Sequence, residues 1–265
     1  MTIGGRRSRI VRELADAGCV APDAEADELL SAATEDVGSI EDLVSRRVGG
    51  EPMAWIVGYV LFCGLRIRVD PGVFVPRPHT EAMARRAAAL LPPAGTALDL
   101  CTGSGAVAAV MFAAHPGATV IGTDVDAIAI ACARSNGVEA FVGDLDGPIP
   151  AAIRGHVDVV TAVVPYVPTE ELHLLPRDVL ANEPRRAIDG GPGGTAVLPR
   201  AAEAAARCLH PGGSVLLEIG GDQATEMRDV LVGLGFEGIS VHRDEDGFDR
   251  SIEARLGPGG RDQPT

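Results

Sequence analysis

From Thr96 onward the chain alternates short apolar runs with helical segments, the pattern of a parallel α/β sheet with helical crossovers. Strands are expected at TALDL (96–100), ATVIGTD (118–124), VEAFVGD (138–144), HVDVVTAVV (156–164) and GSVLLEIG (213–220). Helices are expected between them, at about 104–114, 126–136, 195–209 and 222–234. FEGISVHRDEDGFDRSIEAR then reads as two antiparallel strands joined by a turn at Asp246-Gly247. A dinucleotide-dependent dehydrogenase keeps adding strand–helix units instead, so the terminal hairpin counts against one.

Upstream the pattern changes. Ile10, Leu14 and Ala17, then Leu29 and Leu30, then Ile40, Leu43 and Val44 recur at helical spacing. Such short helices cannot close a core alone, so residues 1–50 are expected to form a small helical N-terminal domain packed on the main one. Gly49-Gly50 and Pro52 punctuate its end. Residues 51–80 read as a hairpin-like linker, with Leu65, Ile67 and Val69 alternating against Arg66, Arg68 and Asp70. Residues 81–256 form the main domain, and 257–265 a disordered tail.

Composition excludes several functions. The chain has 37 acidic residues against 23 basic ones, all arginine, for a formal net charge of −14. Nucleic-acid binders neutralise phosphates with a basic surface, so no direct nucleic-acid contact is expected. Five cysteines without a Cys-x-x-Cys pair fit neither a disulfide framework nor a zinc ribbon, and no metal site is expected. MTIGGRRSRIVREL lacks the apolar stretch of a signal peptide, and no apolar run approaches the roughly 20 residues of a membrane span. A cytoplasmic protein with reduced thiols, making no membrane contact, is the expectation.

ALDLCTGSGAVAAV carries the chemistry. A strand ends at Asp99-Leu100, the loop Cys101-Thr102-Gly103-Ser104-Gly105 follows, and a helix opens at about Ala106. The glycines let backbone amides approach a ligand, and the helix N-terminus adds partial positive charge. Gly103-x-Gly105-x-x-Ala108 also satisfies the loose dinucleotide fingerprint. Asp99, at the end of its strand, would repel a pyrophosphate and suits the cationic amino acid end of S-adenosylmethionine. Asp124, with Val125 beside it, ends the second strand and suits ribose hydroxyls. Asp144, with Leu145, ends the third near the adenine edge. Any one aspartate alone reads equally as a solvated turn residue; three at successive strand ends line a crevice.

With these residues placed, the chain resembles the HemK/PrmC family of protein-glutamine methyltransferases over about 10–256. GGEPMAWIVGYVLFCGLRIRVDPGVFVPRPHTEAM is similar to the family's interdomain segment, including Pro76-Arg77-Pro78-x-Thr80-Glu81. DLCTGSGAVA resembles its cofactor loop, with Cys101 in place of a glycine. NEPRRAIDGGPGG (182–194) and HPGGSVLLEIGGDQ (210–223) match later landmarks. The resemblance implies a class I, Rossmann-like methyltransferase sheet of seven strands ending in an antiparallel hairpin. It also implies methyl transfer from S-adenosylmethionine to a glutamine side-chain amide, in a peptide-chain release factor or another protein substrate, with Pro76, Arg77 and Glu183 near that substrate.

One departure stands out. The family's Asn-Pro-Pro-Tyr reads Val163-Val164-Pro165-Tyr166 here. The family's asparagine oxygen and the next carbonyl accept hydrogen bonds from the target amide, while the tyrosine packs on its plane. Tyr166 and the Val164 carbonyl preserve part of this, but the Val163 side chain accepts nothing. Three readings follow. Glu183, Asp178 or His79 supplies the acceptor; the acceptor substrate differs; or the chain is a cofactor-binding pseudoenzyme or interaction protein. A nicotinamide-dependent dehydrogenase rests on the glycine spacing alone. Segment 165–194 has no clear period and reads as a substrate loop.

Overall fold

A computed structural model describes residues 3–35 and 37–259. Helices α1 (Ile3–Asp16), α2 (Pro22–Thr34) and α3 (Ile40–Val48) bury one apolar stripe each, packing Ile10, Leu14, Leu29 and Leu43 together. Pro22 starts α2, and the Ser39 hydroxyl caps α3 by accepting the Asp42 N–H. The short α4 (Met53–Val57) closes this cluster with Ile56 and Val57. The hairpin of β1 (Tyr59–Phe62) and β2 (Leu65–Arg68) follows. Its two-residue turn is Cys63-Gly64, both at positive φ, as strand twist favours.

Helix α5 (Thr80–Leu90) then leads into a seven-stranded sheet. The sheet alternates with helices through β3 (Thr96–Leu100), α6 (Ala106–Ala114), β4 (Thr119–Asp124), α7 (Ala127–Ser135), β5 (Glu139–Val142) and β6 (Val157–Ala162). Short 3₁₀ turns and α8 (Arg177–Asn182) fill the segment after β6. The chain ends through α9 (Leu198–Cys208), β7 (Leu209–Glu218), α10 (Gln223–Gly233), β8 (Phe236–Arg243) and β9 (Asp249–Leu256). Strand order is β5-β4-β3-β6-β7-β9-β8, parallel except for β9, which runs antiparallel to both neighbours.

Alternation along each strand builds two cores. Leu98, Leu100, Val160 and Val215 face α9 and α10, whereas Ala97, Val159 and Leu216 face α5 and α6. Three elements depart from the sequence reading. Strand β5 stops at Val142, short of 144, and β7 begins at Leu209, four residues early. Helix α5 falls across the expected linker boundary. Of the expected tail, Gly257 donates its N–H to the Gly235 carbonyl, and 260–265 lie outside the described residues.

Candidate functional site

The sheet order reverses at β3: the chain moves out through β4 and β5, then returns to β3's other side as β6. Such a reversal leaves a crevice beyond the C-terminal ends of the two strands. Both sequence motifs end there, Cys101–Gly105 after β3 and Val163–Tyr166 after β6.

A cleft of about 220 Å³ opens at this point. Asp99, Cys101, Thr102, Gly103 and Ser104 line one side, Asp124, Val125 and Asp144 a second, and Pro76, Val163 and Pro165 a third. Gly105 turns the chain into α6 at φ +80, where a Cβ would meet Val138 at 2.9 Å. Leu145 lies in the core beneath the cleft, 5% exposed at φ +48. Cys101 also has positive φ, +55, the conformation that favours glycine.

The electrostatics follow from burial. Asp99 is 2% exposed; the Thr102 and Thr161 hydroxyls donate to its two oxygens at 2.6 and 2.7 Å. Burial nonetheless pushes its carboxyl up to about 6. Asp124 is also raised by burial, against the Asp126 and Gly103 N–H groups it accepts at 2.9 and 3.0 Å. Burial, then the Asp124 and Asp99 charges, push the Cys101 thiol upward and keep it neutral. Ser104 Oγ is buried with no hydrogen-bond partner and lines the cleft. At the rim, Arg200 pairs with Asp144, and Arg186 with Asp126 at 2.9 Å.

A second cavity, about 330 Å³, adjoins the first; the two share Phe74, Val163 and Ala187. Val164, Leu175, Val179 and Ile188 make it mostly apolar, and Arg77, His79 and Tyr166 are its polar members. Tyr166 is fixed from behind. Gln223 donates its amide to the Tyr166 carbonyl at 2.8 Å and accepts the Gly220 N–H at 3.0 Å. A Cβ on Gly220 would reach the Tyr166 ring at 3.0 Å, and one on Gly194 would collide with the Tyr166 carbonyl. Burial, then the Glu218 charge, raise the phenol.

The expected acceptor replacements separate here. Glu183 accepts Arg77 at 2.7 Å and the Val75 N–H at 3.2 Å, with its carboxyl raised by burial. It clamps the proline-rich segment to the loop and lines neither cavity. Asp178 faces Arg47 of α3 at 3.4 Å. Only His79, of the three, lines the second cavity. Its Nε2 lies 3.3 Å from both Glu218 Oε1 and the Tyr166 hydroxyl. Glu218 was not singled out from sequence, although an acid closing LLE at the end of β7 carries the same signal as Asp99 and Asp124. Gln223 was missed because its role is to hold a backbone carbonyl.

The methyltransferase small domain family matches residues 64–143. A release factor glutamine methyltransferase of Geobacter sulfurreducens is 34% identical over 84% of this chain and 80% of its own length. One from Moorella thermoacetica is 34% identical over 96% of this chain and 98% of its own. Among solved structures, the E. cuniculi Mtq2-Trm112 complex, described as responsible for methylation of the eRF1 translation termination factor, aligns with TM-score 0.52 at 22% identity. It covers 70% of this chain and 99% of that one, and shows the methyltransferase fold.

Proposed function

The chain belongs to the release factor glutamine methyltransferase family, and from that premise we propose that it methylates the side-chain amide of a release factor glutamine. The observation that carries this reading is the shared wall. Val163, Phe74 and Ala187 line both the cleft and a second cavity holding Tyr166, so the donor and acceptor chambers adjoin at these three residues.

S-adenosylmethionine is the methyl donor of this family, and the cleft suits it. Asp99 and Asp124 place carboxylates where a cationic ligand compensates their burial, and the orphaned Ser104 hydroxyl awaits a partner. Asp99, the 101–105 loop and Ser104 would hold the amino acid end, Asp124 and Val125 the ribose, and Asp144 the adenine edge. When bound, the cofactor supplies a methyl group activated on a sulfonium. The chain's own task is then positional: to desolvate the amide, fix its plane and orient its lone pair. Tyr166, anchored by Gln223, provides the planar surface. The Val164 carbonyl is one acceptor for the amide N–H; Pro165 stiffens the loop that carries it. Arg77 lines the second cavity and Pro76 the cleft, while Glu183 holds Arg77 from outside both.

Valine at 163 removes one orienting acceptor, a loss of about 2.7–4 kcal/mol if nothing replaces it. A cofactor-binding protein without turnover is the second reading, and Val163 is what favours it. The expected cellular setting is cytoplasmic, with a protein substrate and no direct nucleic-acid contact; among the described residues no helix is long and apolar enough to cross a membrane. Residues 1–50 serve as a helical cap and 81–256 as the catalytic domain.

The test is transfer of labelled methyl from S-adenosylmethionine to purified release factor, with the modified residue located by mass spectrometry. Label on a glutamine by the wild-type chain is the expected result. Tight cofactor binding with no label from wild type or Val163→Asn would instead favour the non-catalytic reading.

A further inference from the structure

We propose that His79 replaces the missing asparagine: its imidazole accepts the target amide N–H and takes the proton that the nitrogen sheds on methylation. This deepens the glutamine methyltransferase reading and rests on it.

The argument begins at Glu218. Its side chain is 2% exposed at the end of β7 and accepts the Thr80 hydroxyl at 2.6 Å. An ionised carboxylate only accepts, so the histidine nitrogen beside it, Nε2 at 3.3 Å, carries a proton. The neutral ring then has its lone pair on Nδ1. The Tyr166 hydroxyl oxygen, 3.3 Å from the same Nε2, is a further acceptor beside that N–H. One buried acid thereby sets the tautomer of His79. His79 and Tyr166 line the second cavity with Val163, and the rest of that wall is largely apolar.

On this proposal Nδ1 is the neutral acceptor in the cavity His79 lines together with Val163, whose side chain offers none. As the amide nitrogen bonds to the methyl carbon, the carbon–sulfur bond breaks and its electron pair stays on sulfur. The nitrogen's surplus proton passes along the hydrogen bond to Nδ1. The resulting imidazolium sits against the Glu218 carboxylate, which stabilises it. The charged and titratable groups around the ring are Glu218 from β7, Tyr166 from the loop after β6, Arg77 from the proline-rich segment, and Arg250 from β9, which acts on Tyr166.

The experiment measures kcat for release factor methylation in wild type, His79→Ala, His79→Gln, Val163→Asn and the His79→Ala/Val163→Asn double variant. Cofactor affinity is measured in parallel, and nitrogen NMR reads the His79 tautomer. The expected pattern has four parts. His79→Ala lowers kcat about 10²–10³-fold with cofactor affinity unchanged. His79→Gln, which keeps a side-chain acceptor, retains more activity than alanine. Val163→Asn rescues His79→Ala. NMR shows the proton on Nε2.

An active wild type with His79→Ala within threefold of it overturns the proposal while leaving the glutamine methyltransferase reading intact. Transfer by Val163→Asn alone, with wild type inert, also overturns it, because His79 then replaces nothing. No transfer by any variant, with cofactor bound, overturns both.

Discussion

Asp99 shows how one residue ties stability to ligand binding. Its folded value of about 6 lies above the roughly 3.9 of an unfolded aspartate. The folded chain therefore holds the extra proton between those values, and stability falls as pH rises from about 4 to 6. The full cost above pH 6 is about 3 kcal/mol. Melting curves of the cofactor-free protein should show Asp99→Asn gaining most on wild type above pH 6 and least near pH 4. A cationic ligand favours the ionised acid, so calorimetry should find affinity for S-adenosylmethionine weakening as pH drops through about 6. Cys101 sits at φ +55. Glycine there relieves roughly 1–2 kcal/mol of left-handed strain, more than the roughly 0.5–1 kcal/mol of added chain freedom. Cys101→Gly is expected to raise the melting temperature, and the raised thiol of wild type to react slowly with alkylating reagents at neutral pH.

Among elements, the segment after β6 supplies most of the lining of the second cavity, the proposed acceptor side. Val167 bridges to Asp189, Asn182 donates to the Gly50 carbonyl, and Glu183 grips Arg77 and Val75. Gly194, at φ +73, has no room for a Cβ because the Tyr166 carbonyl and the Gln223 amide occupy that space. Gly194→Ala should therefore displace Tyr166 and lower transfer about 10²-fold while leaving cofactor affinity near wild type. Arg77→Ala strands a buried Glu183, and urea unfolding should show a loss of about 3–5 kcal/mol. These ties explain what the sequence showed and what it hid. The parallel strands were legible because Ala97–Leu100 or Val157–Ala162 are short apolar runs, and the 101–105 loop because glycine and strand-end aspartate are local signals. The 165–194 segment was opaque because its turns are held by partners 20 to more than 100 residues away, and such contacts leave no period. Helix α5 was overlooked because it opens at Thr80, two residues after Pro78, on the boundary between the stretch read as linker and the main domain. The Glu218–His79 pairing spans 139 residues and two elements, so nothing in either neighbourhood announces it.

At the scale of the whole molecule, the helical cap and the catalytic sheet are joined through buried charge. Arg47 of α3 is 8% exposed and pairs with Glu25 at 2.7 Å while also facing Asp178 of α8. The cap also covers Ile56 and Val57 of α4. Removing residues 1–50 would uncover that apolar surface and free α8, which helps line the acceptor cavity. Such a truncation should bind cofactor only weakly, aggregate on warming, and fail to methylate; light scattering and calorimetry would show this against the full chain. The shared wall between the cavities has a further consequence for inhibitor chemistry. A single molecule bearing an adenosyl head and a short amide arm, tethered to cross beside Val163, would occupy both chambers at once. Its second half would bind at the high effective concentration set by the tether. Such a bisubstrate ligand should hold this chain far more tightly than either half alone, and a bulkier residue at 163 should narrow the passage and selectively erase that advantage.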